Sequence, residues 1–169
     1  MEKHYLTPLF APQSIIVFAG CTDSPETMTH QARTLVASLK SQEFAGTLRF
    51  LDIQSTGTLA DLAQARADLA IIALPPQDVT AALEIAGRIA CRAALIVSSG
   101  ISAAQASALA KIAKREGILL LGPNCLGVQR PALQLNASAA GPLAQRGPLA
   151  LVSQSGALTA SMLDWAANN

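Results

Sequence analysis

Short apolar runs alternate with amphipathic segments along most of the chain. The runs contain few polar positions, which is typical of strands buried on both faces of a parallel sheet. The segments between them repeat apolar residues at helical spacing. This alternation predicts an α/β, doubly wound, Rossmann-like parallel sheet, because right-handed crossovers place helices on both faces. The predicted strands are 14–19, 47–53, 68–74, 93–97 and 118–121, and the predicted helices are 27–39, one from Thr58, 79–89 and 103–116.

Local signals refine the ends of these elements. Two prolines predict an irregular lead-in at residues 6–14, and residues 54–57 are expected to form a turn. Asp78 and Ser102 carry side chains suited to N-caps. Gly117 follows the helix 103–116 at the C′ position, where a left-handed backbone favours glycine. The helix 79–89 therefore has a predicted start, and the helix 103–116 has both a predicted start and a predicted end.

The pattern restarts near the end of the sequence. Residues 129–148 contain several prolines and glycines and are predicted to be a connector. After it come a predicted strand at 149–152, a turn at 153–156 and a helix at 157–166. A single strand–helix unit cannot bury both of its faces. It is expected either to pack on the first sheet or to open a second domain.

Composition narrows the class of protein. Of 169 residues, 51% are hydrophobic and 14% are charged, which provides a sizeable core and argues against a disordered chain. The formal net charge of +1 makes nucleic acid an unexpected partner. The first residues are polar and do not predict an apolar leader, and no apolar run reaches membrane length. The three cysteines are odd in number, and their positions do not have the spacing of metal ligands. We therefore expect a reducing, cytoplasmic location, with no metal site and no membrane partner.

The loop after the first predicted strand is a candidate phosphate site. In open α/β sheets, ligands bind beyond the carboxyl ends of the strands. A strand–turn–helix there can present backbone N–H groups to a phosphate, although Asp23 and Glu26 would repel an anion, and an ordinary crossover remains the alternative. Asp52 ends the second strand, where an acid can bind a ribose hydroxyl, so NAD is a further alternative.

The other strand ends contribute polar and small residues to the same edge. They are Pro75–Pro76, Ser98–Ser99–Gly100 and Gly122–Pro123–Asn124. None of them provides an acid–base pair or an activated nucleophile, and Cys21 and Cys125 are expected to be packing residues. The edge therefore predicts a binding crevice with no catalytic residue.

A separate anion site is predicted at Ser153, Ser155 and Gly156. Two hydroxyls and a glycine at the first turn of a helix can bind a phosphate through exposed N–H groups and the helix dipole. A simple serine N-cap is the alternative. No lysine follows as it does in a P-loop, so the motif does not indicate ATP.

Four motifs occur in an order that resembles a known family. They are residues 9–17, Leu121–Gly127 with the sequence LGPNCLG, Leu135–Ser138 with LNAS, and Ala150–Leu158 with ALVSQSGAL. Together they resemble the N-terminal part of NDP-forming acyl-CoA synthetases, relatives of the succinyl-CoA synthetase α subunit. Similar regions occur in some protein lysine acetyltransferases.

The resemblance implies a CoA- or acyl-CoA-binding domain at residues 1–147 and the truncated start of a flavodoxin-like domain at 148–169. It implies phosphate contacts from Ser153, Ser155 and Gly156, and CoA contacts from Gly20, Cys21, Thr22, Ser24, Pro75, Val97, Ser98 and Ser99. Asn124 joins the expected CoA contacts because its side chain, with donors and an acceptor, follows a strand at the same edge. Neither His4 nor His30 matches the family's phosphorylated histidine. The chain is therefore expected to need a nucleotide-grasp partner for ligase activity, or to be a regulatory domain beside an acetyltransferase domain.

Overall fold

The computed structural model of the protein describes residues 4–53 and 66–168. Its helices are α1 (Thr7–Phe10), α2 (His30–Lys40), α3 (Pro76–Arg88), α4 (Ala103–Glu116) and α5 (Gly156–Ala167), and short 3-10 turns lie at Pro25–Thr27 and Pro131–Leu133. Its strands are β1 (Ser14–Phe18), β2 (Thr47–Phe50), β3 (Leu69–Ile72), β4 (Ala93–Ile96), β5 (Leu119–Leu121), β6 (Gly127–Arg130) and β7 (Leu135–Ser138). The predicted turn at 54–57 and the predicted helix from Thr58 lie outside the described residues.

Five strands form the parallel sheet that the sequence predicts, in the order β2-β1-β3-β4-β5. In its register Ile16 of β1 pairs with Ala70 of β3, and Ile71 of β3 pairs with Leu95 of β4. The order changes direction between β1 and β3. In doubly wound sheets this switch point opens a crevice at the carboxyl ends of the strands, where ligands bind.

Each face of the sheet has its own apolar core. Val17 and Leu95 point to the face covered by α2, where Leu35 and Leu39 are buried. The opposite face is covered by α3 and α4 through residues such as Leu83 and Leu109. Because β1, β3 and β4 are buried on both faces, they hold their carboxyl ends in fixed positions.

Several helix starts differ from the prediction. The lead-in contains the short helix α1, which the two prolines allow because one of them lies in its first turn. Helix α2 begins at His30, since Thr29 Oγ1 accepts a hydrogen bond from the Ala32 N–H at 3.1 Å. The N-cap of α3 is Pro75 and not Asp78, which lies in the first turn.

The start and end predicted for α4 are confirmed. Ser102 and Gln105 form a reciprocal capping box, in which each side chain accepts a hydrogen bond from the other residue's backbone N–H. Gly117 ends the helix in the left-handed conformation with φ 68°. Local sequence signals were sufficient here because both caps use neighbouring residues only.

The predicted connector at 129–148 is partly wrong, because strands β6 and β7 form an antiparallel hairpin there. Gly127 has φ +119°, and a Cβ at this position would lie 2.2 Å from the Ala137 carbonyl oxygen. Leu135 and Ala137 are buried in the core on the α2 face. The hairpin therefore extends the domain's core beyond the parallel sheet.

Polar side chains hold the segment after the hairpin in place. The two N–H groups of Gln129 Nε2 are shared among three acceptors at 3.1 to 3.2 Å, which are Asn136 Oδ1, Ser138 Oγ and the Pro142 carbonyl oxygen. Asn136 Nδ2 donates to the Gly141 carbonyl oxygen at 2.9 Å. Because Asn136 and Ser138 are buried, this network satisfies polar groups that would otherwise be costly to bury.

The strand predicted at 149–152 is wrong, because residues 149–152 are irregular and exposed in the structure. Leu149 and Val152 are 95% and 92% exposed. An apolar run becomes a strand only when another strand supplies hydrogen-bond partners. Helix α5 follows as predicted and contains no buried residue. Within the described part of the chain, no helix is long and apolar enough to cross a membrane.

Candidate functional site

The loop after β1 carries the residues predicted to contact CoA phosphates. Gly20 adopts φ +85°, and Cys21, Thr22 and Ser24 are partly buried. The loop is held by hydrogen bonds from the Ser24 N–H to the Cys21 carbonyl oxygen and from Thr27 Oγ1 to the Ser24 carbonyl oxygen. The four predicted residues therefore lie together in one ordered turn ahead of α2.

Arg33 fastens the end of this loop to α2. Its guanidinium donates hydrogen bonds to the carbonyl oxygens of Met28 at 2.7 Å and Pro25 at 3.3 Å. This places a positive charge beside the segment that carries Glu26. The sequence prediction considered only the acidic residues of the loop, and Arg33 offsets part of their repulsion toward an anion.

A shallow cavity of about 280 Å³ lies between α2 and the ends of β3 and β4. We call it the first cavity. The segments that line it follow β1, β3 and β4, so the cavity lies at the switch point of the sheet. Of the predicted CoA contacts, Pro75 and Ser99 line it, and the loop residues 20–24 do not. Its lining residues are Thr29, His30, Gln31, Leu74, Pro75, Pro76 and Ser99.

Ser98 is a structural link between three strand ends. Its hydroxyl accepts a hydrogen bond from the Leu74 N–H at 3.0 Å, and its carbonyl oxygen accepts one from the Asn124 N–H at 3.0 Å. The residue is only 2% exposed. Ser98 therefore contributes to the site by holding the neighbouring loops together.

The turn after β5 depends on a close backbone approach. A Cβ at Gly122 would lie 2.2 Å from the Ile96 carbonyl oxygen, and the residue has φ +101°. The peptide bond from Gly122 to Pro123 is cis. Asn124 follows with φ 57°, a left-handed conformation that asparagine tolerates better than most residues, and it is exposed.

A second cavity, of about 340 Å³, lies between this turn and the start of α5. It brings together Val97 and Asn124, which are predicted CoA contacts, and Gly156, which is a predicted phosphate contact. Ser153 and Ser155 are not among its lining residues. Those residues are Gln31, Val97, Asn124, Cys125, Leu126, Ala139, Gln154, Gly156 and Ala157.

Ser153 and Ser155 use their side chains in local hydrogen bonds. Ser155 is the N-cap of α5, and its Oγ accepts a hydrogen bond from the Leu158 N–H at 3.3 Å. Ser153 Oγ accepts one from the Ser155 N–H at 3.0 Å. Both serines are exposed. Both hydroxyls therefore serve as turn and cap groups, while Gly156 and Ala157, in the first turn of α5, line the second cavity.

Gln31 lines both cavities, and the sequence analysis missed it. Its Oε1 accepts hydrogen bonds from Ser99 Oγ at 3.0 Å and from the Ser99 N–H at 3.3 Å. The signal available in the sequence was its position in the first turn of the helix that follows the β1 loop. Such a position places a side chain at the carboxyl edge of the sheet.

Two of the three cysteines are packing residues, and their burial makes them unreactive. Burial raises the pKa of Cys125 to about 11, and its Sγ donates a hydrogen bond to the Ile96 carbonyl oxygen at 3.2 Å. Burial, with a further contribution from the Asp68 charge, raises the pKa of Cys91 to about 12. A nucleophilic cysteine requires the opposite shift, toward the thiolate. In residues 4–53 and 66–168 no group of His, Cys, Asp and Glu side chains could hold a metal ion.

The carboxyl edge of the sheet combines a cavity at the switch point, a helix N-terminus beside it and polar strand ends. These features are typical of edges that bind nucleotide-type ligands in doubly wound sheets. The family model described as "CoA binding domain" matches residues 16–131, a range that begins within β1 and includes β2 to β6. The chain belongs to the CoA-binding domain family. This confirms the resemblance drawn from the sequence motifs.

The relatives of this CoA-binding domain include ADP-forming ligases. An acetate–CoA ligase [ADP-forming] I from Archaeoglobus fulgidus is 35% identical over 108 residues, which are 60% of this chain and 16% of that protein. The acetate–CoA ligase [ADP-forming] of Methanocaldococcus jannaschii is 36% identical over 101 residues, 57% of this chain and 14% of that protein. The chain is thus homologous to part of these ligases and spans about a sixth of their length.

Solved structures agree with the fold. PH0766 from Pyrococcus horikoshii OT3 has a TM-score of 0.80 and 25% identity, over 95% of this chain and 38% of that one. The dinucleotide-forming acetyl-coenzyme A synthetase 1 of Ca. Korarchaeum cryptofilum, in complex with phosphate and ADP, has a TM-score of 0.72 and 23% identity, over 95% of this chain and 36% of that one. The doubly wound fold of the CoA-binding domain is therefore shared along nearly the whole chain.

Proposed function

We propose that this CoA-binding domain binds CoA or acyl-CoA along the carboxyl edge of its sheet, as one module of an ADP-forming acyl-CoA synthetase. The observation that supports the site most strongly is a pair of cavities at the carboxyl edge of the sheet. The first lies at the β1–β3 switch point, the second lies beyond β4 and β5, and Gln31 lines both. A long, thin ligand with a nucleotide at one end fits a pair of adjoining clefts better than a single deep pocket.

In this proposal the CoA phosphates bind near residues 20–24 and the N-terminus of α2, where backbone N–H groups and the helix dipole favour an anion. The chain then passes Pro75 and Ser99 in the first cavity and reaches Val97 and Asn124 in the second. The thiol end lies toward the start of α5 at Gly156. No step of acyl transfer is assigned to a residue of this chain.

The relatives also support a proposal for the partner. They are ADP-forming ligases of which the chain matches only a part, so we propose that ligase activity requires a nucleotide-grasp domain in addition to residues 1–169. Residues 148–169 would then belong to the next domain of such a protein. A reducing, cytoplasmic location stays a proposal, supported by the three free cysteines.

Ser99→Glu tests the proposed site. Ser99 is exposed and lines the first cavity, so a longer, negatively charged side chain should block the ligand and repel its phosphates without unfolding the domain. We expect loss of CoA binding in a calorimetric titration of the full chain. Ser107→Glu is the matched control, because Ser107 is exposed on α4 and lines neither cavity. Unchanged CoA affinity in Ser99→Glu would overturn the assigned site.

A further inference from the structure

Gln31 occupies the boundary between the two cavities. It is the residue that lines both of them, while Ser99 lines the first and Val97 lines the second. The hydrogen bonds between Gln31 and Ser99 cross this boundary from α2 to the end of β4. A ligand that extends from one cavity into the other must therefore pass the carboxamide of Gln31.

Ser99 fixes the orientation of that carboxamide. The backbone N–H of Ser99 can only donate, so the group that faces it must be the acceptor Oε1 and not the donor Nε2. The Ser99 hydroxyl donates to the same oxygen at 3.0 Å. Two hydrogen bonds thus hold Oε1 on the Ser99 side and direct the two N–H groups of Nε2 elsewhere.

Within residues 4–53 and 66–168, no protein group accepts a hydrogen bond from Gln31 Nε2. The side chain is partly exposed and lines both cavities, so this nitrogen is open to an acceptor on a ligand. Such an acceptor meets a donor whose direction is already set, which lowers the entropy lost on binding.

The second cavity indicates which part of the ligand meets Gln31. Its polar side chains include three carboxamides, those of Gln31, Asn124 and Gln154, and no charged side chain is among its lining residues. The apolar remainder includes Val97 and Leu126. A neutral chain with amide groups matches this lining, whereas phosphates would favour positive charge. In CoA the neutral part is the pantetheine arm, which contains two amides.

Resting on the proposed function, we infer that Gln31 is a specificity residue that donates a hydrogen bond from Nε2 to an amide carbonyl of the pantetheine arm. Ser99 acts as its positioning residue. The pair would thus distinguish CoA and its thioesters from nucleotides that share the phosphates but lack the arm.

The test compares Gln31→Glu with the unaltered full chain. Glutamate keeps the size of the side chain and an acceptor for Ser99, but it removes both N–H donors. The added charge should weaken the binding of both ligands to a similar extent, as at Ser99, and adenosine 3′-phosphate 5′-diphosphate, which lacks the arm, measures this effect of charge. We expect CoA affinity to fall about three- to tenfold more than the affinity for that nucleotide, which is the range for one net hydrogen bond. Gln77→Glu is the charge control, since Gln77 is exposed beside Pro76 and lines neither cavity.

Each outcome decides between the two proposals. If unaltered protein binds no CoA, the proposed function fails and the inference fails with it. If it binds CoA and Gln31→Glu has unchanged CoA affinity, or loses affinity for both ligands equally, the role of Gln31 alone is overturned. The side-chain amide signals of Gln31 in an NMR spectrum, identified by their absence in Gln31→Glu, give a second readout. CoA should shift them, and signals that stay in place at saturating CoA would also overturn the inference.

Discussion

The buried hydroxyl of Ser98 accepts a hydrogen bond from the backbone N–H of Leu74 at 3.0 Å. This bond joins the carboxyl ends of β4 and β3, and the Ser98 carbonyl oxygen extends the link to Asn124 after β5. The edge that holds both cavities is therefore built on buried hydrogen bonds. The exposed residues predicted to contact a ligand, such as Ser99, project from this frame.

Ser98→Ala should weaken the frame. The substitution leaves the Leu74 N–H buried without its acceptor, which costs about 1 to 3 kcal/mol. We expect the free energy of unfolding, measured with urea, to fall by this amount. Ser107→Ala, at an exposed position of α4, should change it by less than about 0.5 kcal/mol. Equal stabilities for the two variants would show that the Ser98 bond contributes nothing.

Gly122→Ala should be among the most damaging single-methyl changes in this chain. The added Cβ would lie 2.2 Å from the Ile96 carbonyl oxygen, and φ +101° is strained for any residue with a side chain. We expect a loss of about 2 to 5 kcal/mol, combining strain and overpacking.

Gly117→Ala is the control for backbone strain alone. Gly117 also has a left-handed backbone, with φ +68°, but no atom lies within 4 Å of its added Cβ. Alanine there should cost only about 1 to 2 kcal/mol. A Gly122 variant no less stable than the Gly117 variant would contradict the close approach at the β5 turn.

Cysteine labelling should separate the three thiols. Cys91 is buried, and the Cys125 thiol donates a hydrogen bond to the Ile96 carbonyl oxygen. Both thiols have raised pKa values, so they should react slowly with iodoacetamide at pH 8. Cys21 lies partly exposed in the β1 loop and should react first. Mass spectrometry of the labelled peptides measures the order.

Added CoA should slow the labelling of Cys21, because the proposed ligand covers this loop. Adenosine without phosphates serves as the control and should have no effect. Cys21 that labels at the same rate with and without saturating CoA would argue against the loop as part of the binding site.

Alkaline pH should destabilise the fold through the buried thiols. In the folded chain the pKa is about 12 for Cys91 and about 11 for Cys125, against an ordinary value of 9.0. Below pH 9 both states keep these protons, so the thiols add no pH dependence. As pH rises from 9 toward 11, the unfolded chain loses protons that the folded chain retains, so stability falls by about 1.4 kcal/mol per pH unit for each thiol.

Cys91→Ala isolates this effect from other groups that titrate in the same range. The variant will be less stable at pH 8, because it removes a buried side chain, but its stability should decline less steeply between pH 9 and 11. Urea denaturation at several pH values gives both slopes. Parallel slopes for the two proteins would contradict the raised pKa of Cys91.

Where a structural feature depended on neighbouring residues, the sequence predicted it well. The capping box of Ser102 and Gln105 and the left-handed Gly117 are set by residues within one turn of each other. The buried strands were equally clear, because a run such as 69–74 is apolar at every position. The parallel direction of the strands then followed from the crossovers between the runs, although their order in the sheet was not predicted.

Features that depend on distant contacts were missed. The hairpin β6–β7 turns through Pro131–Leu133 and a left-handed Gln134, which is not one of the Asn-Gly or Gly-Gly turns that identify a hairpin from sequence. The apolar run at 149–152 was predicted as a strand, but a strand requires a pairing partner. The contact of Gln31 with Ser99 joins residues 68 positions apart, so no local pattern could indicate it.

The central claim is that this chain binds CoA at the carboxyl edge of its sheet, and a calorimetric titration of the full chain with CoA tests it most directly. NAD, titrated in parallel, controls for the general affinity of such folds for nucleotides. We predict saturable binding of CoA and no binding of NAD. Absence of CoA binding, or binding of NAD alone, would contradict the claim.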